Sequence, residues 1–200
     1  MNVSIVIQAG GQSSRMGEDK GLLELCGRPM IENIIQRLKP YAHELIITTN
    51  HPERYRQFGI QLVGDIYKDY GALAGLHTAL SAATNEVVFV IACDLPFVNL
   101  GLYKFMKNLF MAKNVDVVIP KTEMGYEPFY ALYRKSTCLP YVSSAIDSGK
   151  RRLISWFESA IVHPVFEVEL RQFDPLLASF VNINTPEDLK LAEKQCLEFL

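Results

Sequence analysis

The stretch from Glu86 to Ala92 (EVVFVIA) runs with almost no polar interruption. That is the pattern of a strand covered on both faces, as in a parallel sheet. Val3–Ile7, Glu44–Thr49, Ile60–Gly64 and Val115–Ile119 read as further strands. Helical spacing separates them. Ile31, Ile34, Ile35 and Leu38 follow Pro29 and stop at Pro40. Leu73, Leu76 and Leu80 share one face of Gly71–Ala83, Leu100–Ala112 predicts another helix, and Pro52–Phe58 a short one. This β-α-β order predicts an α/β protein whose mainly parallel sheet carries helices on both sides.

The rhythm loosens in the second half. Phe129–Tyr133, Val162–Val168 and Phe180–Ile183 are strand candidates, Ser136–Ser148 a helix, and Arg152–Phe157 a short one. The last helix is marked by Thr185 as N-cap, Pro186 at the first position, and Glu187 and Asp188 in the first turn. Leu189, Ala192, Cys196 and Phe199 give it an apolar stripe. No repeat, low-complexity tract or linker divides residues 1–200, which read as a single domain.

Composition narrows the function. Of 200 residues, 49% are hydrophobic, enough for a sizeable core. The formal net charge of −2 leaves no electrostatic footprint for nucleic acid. No apolar stretch approaches a membrane span and none resembles a secretory leader, so a cytoplasmic protein is expected. Cys26, Cys93, Cys138 and Cys196 form no C-x-x-C pair and are expected as reduced thiols.

Candidate chemistry gathers after two strands. The first opens into Gln8-Ala9-Gly10-Gly11 and runs on through Arg15 to Lys20. Glycines let backbone N–H groups approach phosphate oxygens, and Arg15 and Lys20 can neutralise the charge collected there. The loop is neither a Walker P-loop nor a dinucleotide fingerprint, because it lacks both spacings. The second is Cys93-Asp94-Leu95-Pro96, directly after the buried run. Asp94 suits a turn before Pro96, or a Mg²⁺ ligand bridging to phosphates; a phosphate loop nearby favours the metal. His77 reads as a packing or surface residue and Trp156 as core.

The string QAGGQSSRMGEDKGLLEL resembles the signature of nucleotidyltransferases built on a Rossmann-like sheet. It is most similar to the molybdenum cofactor guanylyltransferases, whose usual opening is Leu-Ala-Gly-Gly-x-Ser-x-Arg-Met-Gly-x-Asp-Lys. Further segments match in order: Tyr70 to Leu76, Ala92 to Phe97, Glu127 to Tyr133, and Phe180 to Leu189. The resemblance implies a three-layer α/β/α fold, mainly parallel, with an antiparallel addition in the C-terminal half. Residues 1–120 would be the nucleotide-binding part, and 121–200 the acceptor part and closing helix.

It also implies roles. Gln8, Ala9, Gly10 and Gly11 would wrap the guanine nucleotide, mainly through backbone groups. Lys20 would contact its phosphates with Arg15 nearby, and Asn50 and Asp65 would hold base or ribose. Asp94 would bind Mg²⁺, for which Mn²⁺ can substitute, and touch the GTP phosphates. Asn182 and Asn184 would lie near the pterin substrate, with Lys150, Arg151 and Arg152 toward its phosphate. GTP and molybdopterin are the implied substrates, and molybdoenzyme apoproteins or their chaperones the implied partners. Gln8 stands where the family has leucine, and Ala72 where it has proline. A CTP-dependent molybdopterin or sugar/polyol-phosphate nucleotidyltransferase is the nearest alternative, and a non-catalytic nucleotide-binding module a more distant one.

Overall fold

The computed structural model describes residues 2–9, 19–67, 70–194 and 196. In chain order the elements are β1 (Val3–Gln8), β2 (Glu24–Leu25), β3 (Arg28–Pro29), α1 (Met30–Leu38), β4 (Glu44–Thr48), α2 (Pro52–Tyr55), β5 (Gln61–Val63) and α3 (Gly71–Ala82). There follow β6 (Val87–Ala92), α4 (Leu100–Ala112), β7 (Val117–Thr122), β8 (Gly125–Tyr126), β9 (Tyr130–Arg134), α5 (Lys135–Asp147), β10 (Val162–Phe166), α6 (Glu167–Leu170) and α7 (Pro186–Lys194). The main sheet has the order β10-β7-β9-β6-β1-β4-β5, with β8 paired to β7. Strands β5, β4, β1 and β6 are parallel. Strand β9 runs antiparallel between β6 and β7, and β10 lies parallel to β7.

Alternation along the central strands builds the layers. Val3, Ile5 and Ile7 of β1 and Val87, Phe89 and Ile91 of β6 face α1 and α4, meeting Ile31, Ile34, Leu38, Leu102, Tyr103 and Met106. Val6, Val88 and Val90 face the other way, toward Leu73, Leu76 and Leu80 of α3 and Val142 and Ile146 of α5. Each fully buried aliphatic or aromatic side chain contributes about 1.5–3 kcal/mol by leaving water. His77 and Trp156 pack within this second layer: His77 Nε2 lies 3.1 Å from Ser143 Oγ between α3 and α5, and Trp156 is buried.

A third apolar cluster joins the two ends of the chain. Leu25, Met30 and Phe97 pack with Ala178, Ile183 and Ala192, so α7 covers the β2–β3 hairpin. Cys26 and Cys196 form a disulfide there, with their Cα atoms 5.9 Å apart. The expectation of reduced thiols therefore fails at these two positions and holds at Cys93 and Cys138, which are free and buried. A separation of 170 residues hides the pair from any reading by spacing.

Three predicted elements also differ: Arg152–Phe157 forms no helix but a run of turns leading into a 3₁₀ turn at Phe157–Ser159. Phe180–Ile183 is not a strand: a 3₁₀ turn at Ala178–Phe180 leads into irregular backbone. The buried Asp174 carboxylate accepts the Ala178 and Ser179 N–H groups at 3.0 and 2.8 Å, so this segment folds on itself before it reaches a sheet edge. Val162–Val168 ends as a strand at Phe166, where α6 begins.

Candidate active site

The carboxyl ends of the parallel strands share one rim, where open α/β sheets bind ligands. Short backbone bonds knit the exits together: Ala9 N–H to Thr48 O at 2.8 Å, Cys93 N–H to Gln8 O at 2.9 Å, and Thr49 N–H to Val63 O at 2.8 Å. Antiparallel β9 enters from the same rim, where the Ala92 N–H meets Phe129 O at 3.0 Å.

One corner of the rim is charged. Lys20 opens a 3₁₀ turn, Lys20–Leu22, capped by Asp19. Its ammonium lies 3.6 Å from Asp94 Oδ2 and donates to Asn184 Oδ1. Three segments far apart in sequence thus converge. Asp94 sits in the turn after β6. Asn184 is brought to it because buried Ile183 donates its N–H to Asp94 O at 3.0 Å. Thr185 and Asp188 then fix the start of α7 reciprocally: the Asp188 carboxylate accepts the Asn184 and Thr185 N–H groups, and Thr185 Oγ1 accepts that of Asp188.

Burial pushes the Asp94 carboxyl above its ordinary 3.8, and the nearby Lys20 ammonium only partly offsets this. A half-buried carboxylate whose charged form is penalised by burial gains from an added cation. No group of three His, Cys, Asp or Glu suited to a metal occurs among the described residues. Asp94 could supply one carboxylate ligand to a Mg²⁺, a hard ion that prefers oxygen donors.

The opposite corner pairs an amide with a carboxylate and is more open. Asn50, after β4, and Asp65, after β5, bind each other reciprocally: Asn50 Nδ2 donates to Asp65 Oδ2 at 2.8 Å, and Asp65 N–H to Asn50 Oδ1 at 3.0 Å. Gln8 is buried, its amide donates to Gly75 O of α3, and its carbonyl takes the Cys93 N–H. Any Cβ at Gly75 would collide with that amide, so glycine lets α3 lie close on β1 here. Arg151 is exposed and stacks 5.1 Å over the ring of Tyr70, at the start of α3. Lys150 donates instead to Ser155 O at 3.2 Å. Asn182 is exposed, one residue before the buried Ile183. Gly10, Gly11 and Arg15 lie outside the described residues.

Some residues at this rim had no assigned role in the sequence. Asp19 and Tyr55 lie beneath the Lys20 turn. Glu127 sits on the loop before β9, its carboxyl raised by burial and partly lowered again by the Thr122 hydroxyl at 3.3 Å. Adjacency to Lys20 was the available signal for Asp19; nothing in the local sequence marks Tyr55.

At the carboxyl rim of this open α/β sheet a lysine, a half-buried carboxylate and an asparagine thus meet. The model for the MobA-like NTP transferase domain matches residues 5–163. The chain belongs to that family, and it is a Rossmann-like nucleotidyltransferase. A probable molybdenum cofactor guanylyltransferase of Peptoclostridium acidaminophilum is 38% identical, over 94% of this chain and 86% of its own length. The molybdenum cofactor guanylyltransferase of Desulfosudis oleivorans is 33% identical, over 96% and 94%. The crystal structure of molybdopterin-guanine dinucleotide biosynthesis protein A from Archaeoglobus fulgidus superposes with a TM-score of 0.83 at 30% identity, covering 98% of this chain and 99% of that one.

Proposed function

We propose that this protein transfers GMP from GTP to the terminal phosphate of a molybdopterin form of the molybdenum cofactor, releasing pyrophosphate. The observation that carries the reading is the convergence of Lys20, Asp94 and Asn184 at the strand-end rim, in a chain whose relatives are named for this reaction.

The acceptor phosphate oxygen attacks the α-phosphorus of GTP, and the bond to the β-phosphate oxygen breaks. The nucleophile is already an anion near neutral pH, so no general base is required. The barrier is the approach of one anion to another. Lys20 is placed to neutralise phosphate charge, and Asn184 holds its ammonium at the rim. Asp94 would hold Mg²⁺, which when bound offsets charge on the phosphates and on departing pyrophosphate. Asn50 and Asp65 would meet the nucleoside, and exposed Asn182 with Arg151 would face the acceptor. A cytoplasmic setting, and delivery to molybdoenzyme apoproteins or their chaperones, belong to the same reading.

Thermal melts with Mg²⁺ and either GTP or CTP test it first, because a bound nucleotide raises the melting temperature. GTP should give the larger rise, and adding molybdopterin should release pyrophosphate. A larger rise with CTP would point to a cytidylyltransferase. A rise with no pyrophosphate would leave a binding module.

A further inference from the structure

Lys20 lies in a turn that is held in place from beneath. Asp19 Oδ1 accepts the Gly21 N–H at 3.3 Å and also the hydroxyl of Tyr55, which reaches in from α2. Tyr55 is fully buried. Around Lys20 the Leu22 N–H binds Asp19 O at 3.0 Å and the Leu23 N–H binds Lys20 O at 3.1 Å. The backbone of Lys20 is therefore fixed on both sides by groups tied to one carboxylate.

The seat is tight. A Cβ on Gly21 would come within 2.8 Å of Tyr55 Oη and 3.3 Å of the Cys93 Cβ and Sγ. A side chain there would lift the turn off Tyr55 and off the strand end that leads into Asp94. The negative charge of Asp19 is occupied on its inner oxygen by these donors, and its outer oxygen lies 4.0 Å from Arg54. A carboxylate one residue from the phosphate-binding lysine is thereby directed away from the rim. Burial, with the neighbouring Cys93 and Asp19, holds the Tyr55 phenol far above its ordinary range, so it remains a donor.

We propose that Asp19 and Tyr55 are positioning residues for the nucleotidyl transfer: their hydrogen bond sets the Lys20 backbone so that its ammonium meets Asp94, Asn184 and the nucleotide phosphates together. The inference rests on the reading of Lys20 as a phosphate contact. A flexible lysine is a good electrostatic catalyst only when its stem begins in the right place, because preorganised charge avoids reorganisation during the reaction. The pair acts through Lys20 and touches neither substrate.

The test is a mutant cycle on the full chain with Mg²⁺–GTP and acceptor. Tyr55→Phe removes one oxygen and keeps the ring. Its kcat/KM should fall about tenfold, as for a lost hydrogen bond to a charged group. Asp19→Ala should match it, and Asp19→Asn, which keeps an accepting oxygen, should recover most of the loss. In a Lys20→Ala background Tyr55→Phe should cost nothing further, a result that general loss of packing would not give. Melting curves identify any variant that fails to fold, and Asp19→Asn then carries the comparison. Wild-type kcat/KM in Tyr55→Phe and Asp19→Ala, or an undiminished loss in the Lys20→Ala background, would overturn the proposal. If Lys20→Ala is impaired while Tyr55→Phe is not, only the positioning role is lost. If Lys20→Ala uses GTP normally, the phosphate role of Lys20 and this inference fail together.

Discussion

The two corners of the rim solve different problems. At the Lys20–Asp94–Asn184 corner, a half-buried carboxylate faces a lysine at 3.6 Å and remains above its ordinary pKa. At the Asn50–Asp65 corner, two more accessible side chains satisfy each other with hydrogen bonds of 2.8 and 3.0 Å. On the proposed reading, the first takes a further cation and a polyphosphate, whose charges it would complement. On the same reading the second would exchange a mutual pair for contacts with a ligand, which discriminates among ligands more than it drives chemistry. Polyphosphate charge and nucleoside identity would, on that proposed reading, be handled by different strand exits, β1 and β6 on one side and β4 and β5 on the other.

The sharpest way to break this contrast is Asp94→Ala. Metal-dependent turnover should fall about a hundredfold to a thousandfold, as when one preorganised electrostatic contact is lost. Because burial raises the Asp94 pKa, its ionised form opposes folding at neutral pH, so the melting temperature should stay level or rise. A large loss of stability, with activity per folded molecule intact, would reduce Asp94 to a turn residue.

Reduction of the Cys26–Cys196 disulfide tests how far the charged corner depends on the closing helix. Stability should drop by about 2–4 kcal/mol, the usual range for such a link. Turnover should weaken too, because only Thr185 separates Asn184 from the start of α7. Melts with and without a dithiol, repeated on Cys196→Ala, separate the link from other effects of the reagent. An unchanged melt would show that the packing of Leu25, Met30, Phe97 and Ile183 suffices.

The smallest effect is expected at the other corner. Asn50→Ala should raise KM for GTP about tenfold with kcat nearly kept, the pattern of a lost uniform binding contact. A fall in kcat with KM unchanged would place Asn50 in the chemistry and erase the distinction between the corners.

Much of this arrangement is legible along the chain. The Glu86–Ala92 run identifies the central strand, and Asp94 follows it where a sheet exit would put a ligand. Helical spacing between Ile31 and Leu38 and between Leu73 and Leu80 locates the covering layers. Such features are local: two or three neighbouring residues carry the pattern, and burial of one face enforces it. Phe180–Ile183 shows the limit. Its apolar character is real, since Ile183 is buried, but Ile183 packs in the hairpin cluster and Phe180 on the Tyr130 ring of β9 without pairing as a strand. Burial alone does not distinguish those outcomes.

By itself the sequence determined the α/β order, the two strand exits with their candidate residues, and the family signature around Lys20 and Asp94. Only the tertiary structure decided that Asn184 would hold the Lys20 ammonium, that Tyr55 would brace Asp19, and that Cys26 would meet Cys196. The physical reason is that each of these contacts joins groups through space after the sheet and its covering layers have formed. Periodicity fixes which face of an element is buried, but the partner on that face is selected by packing among elements distant in sequence.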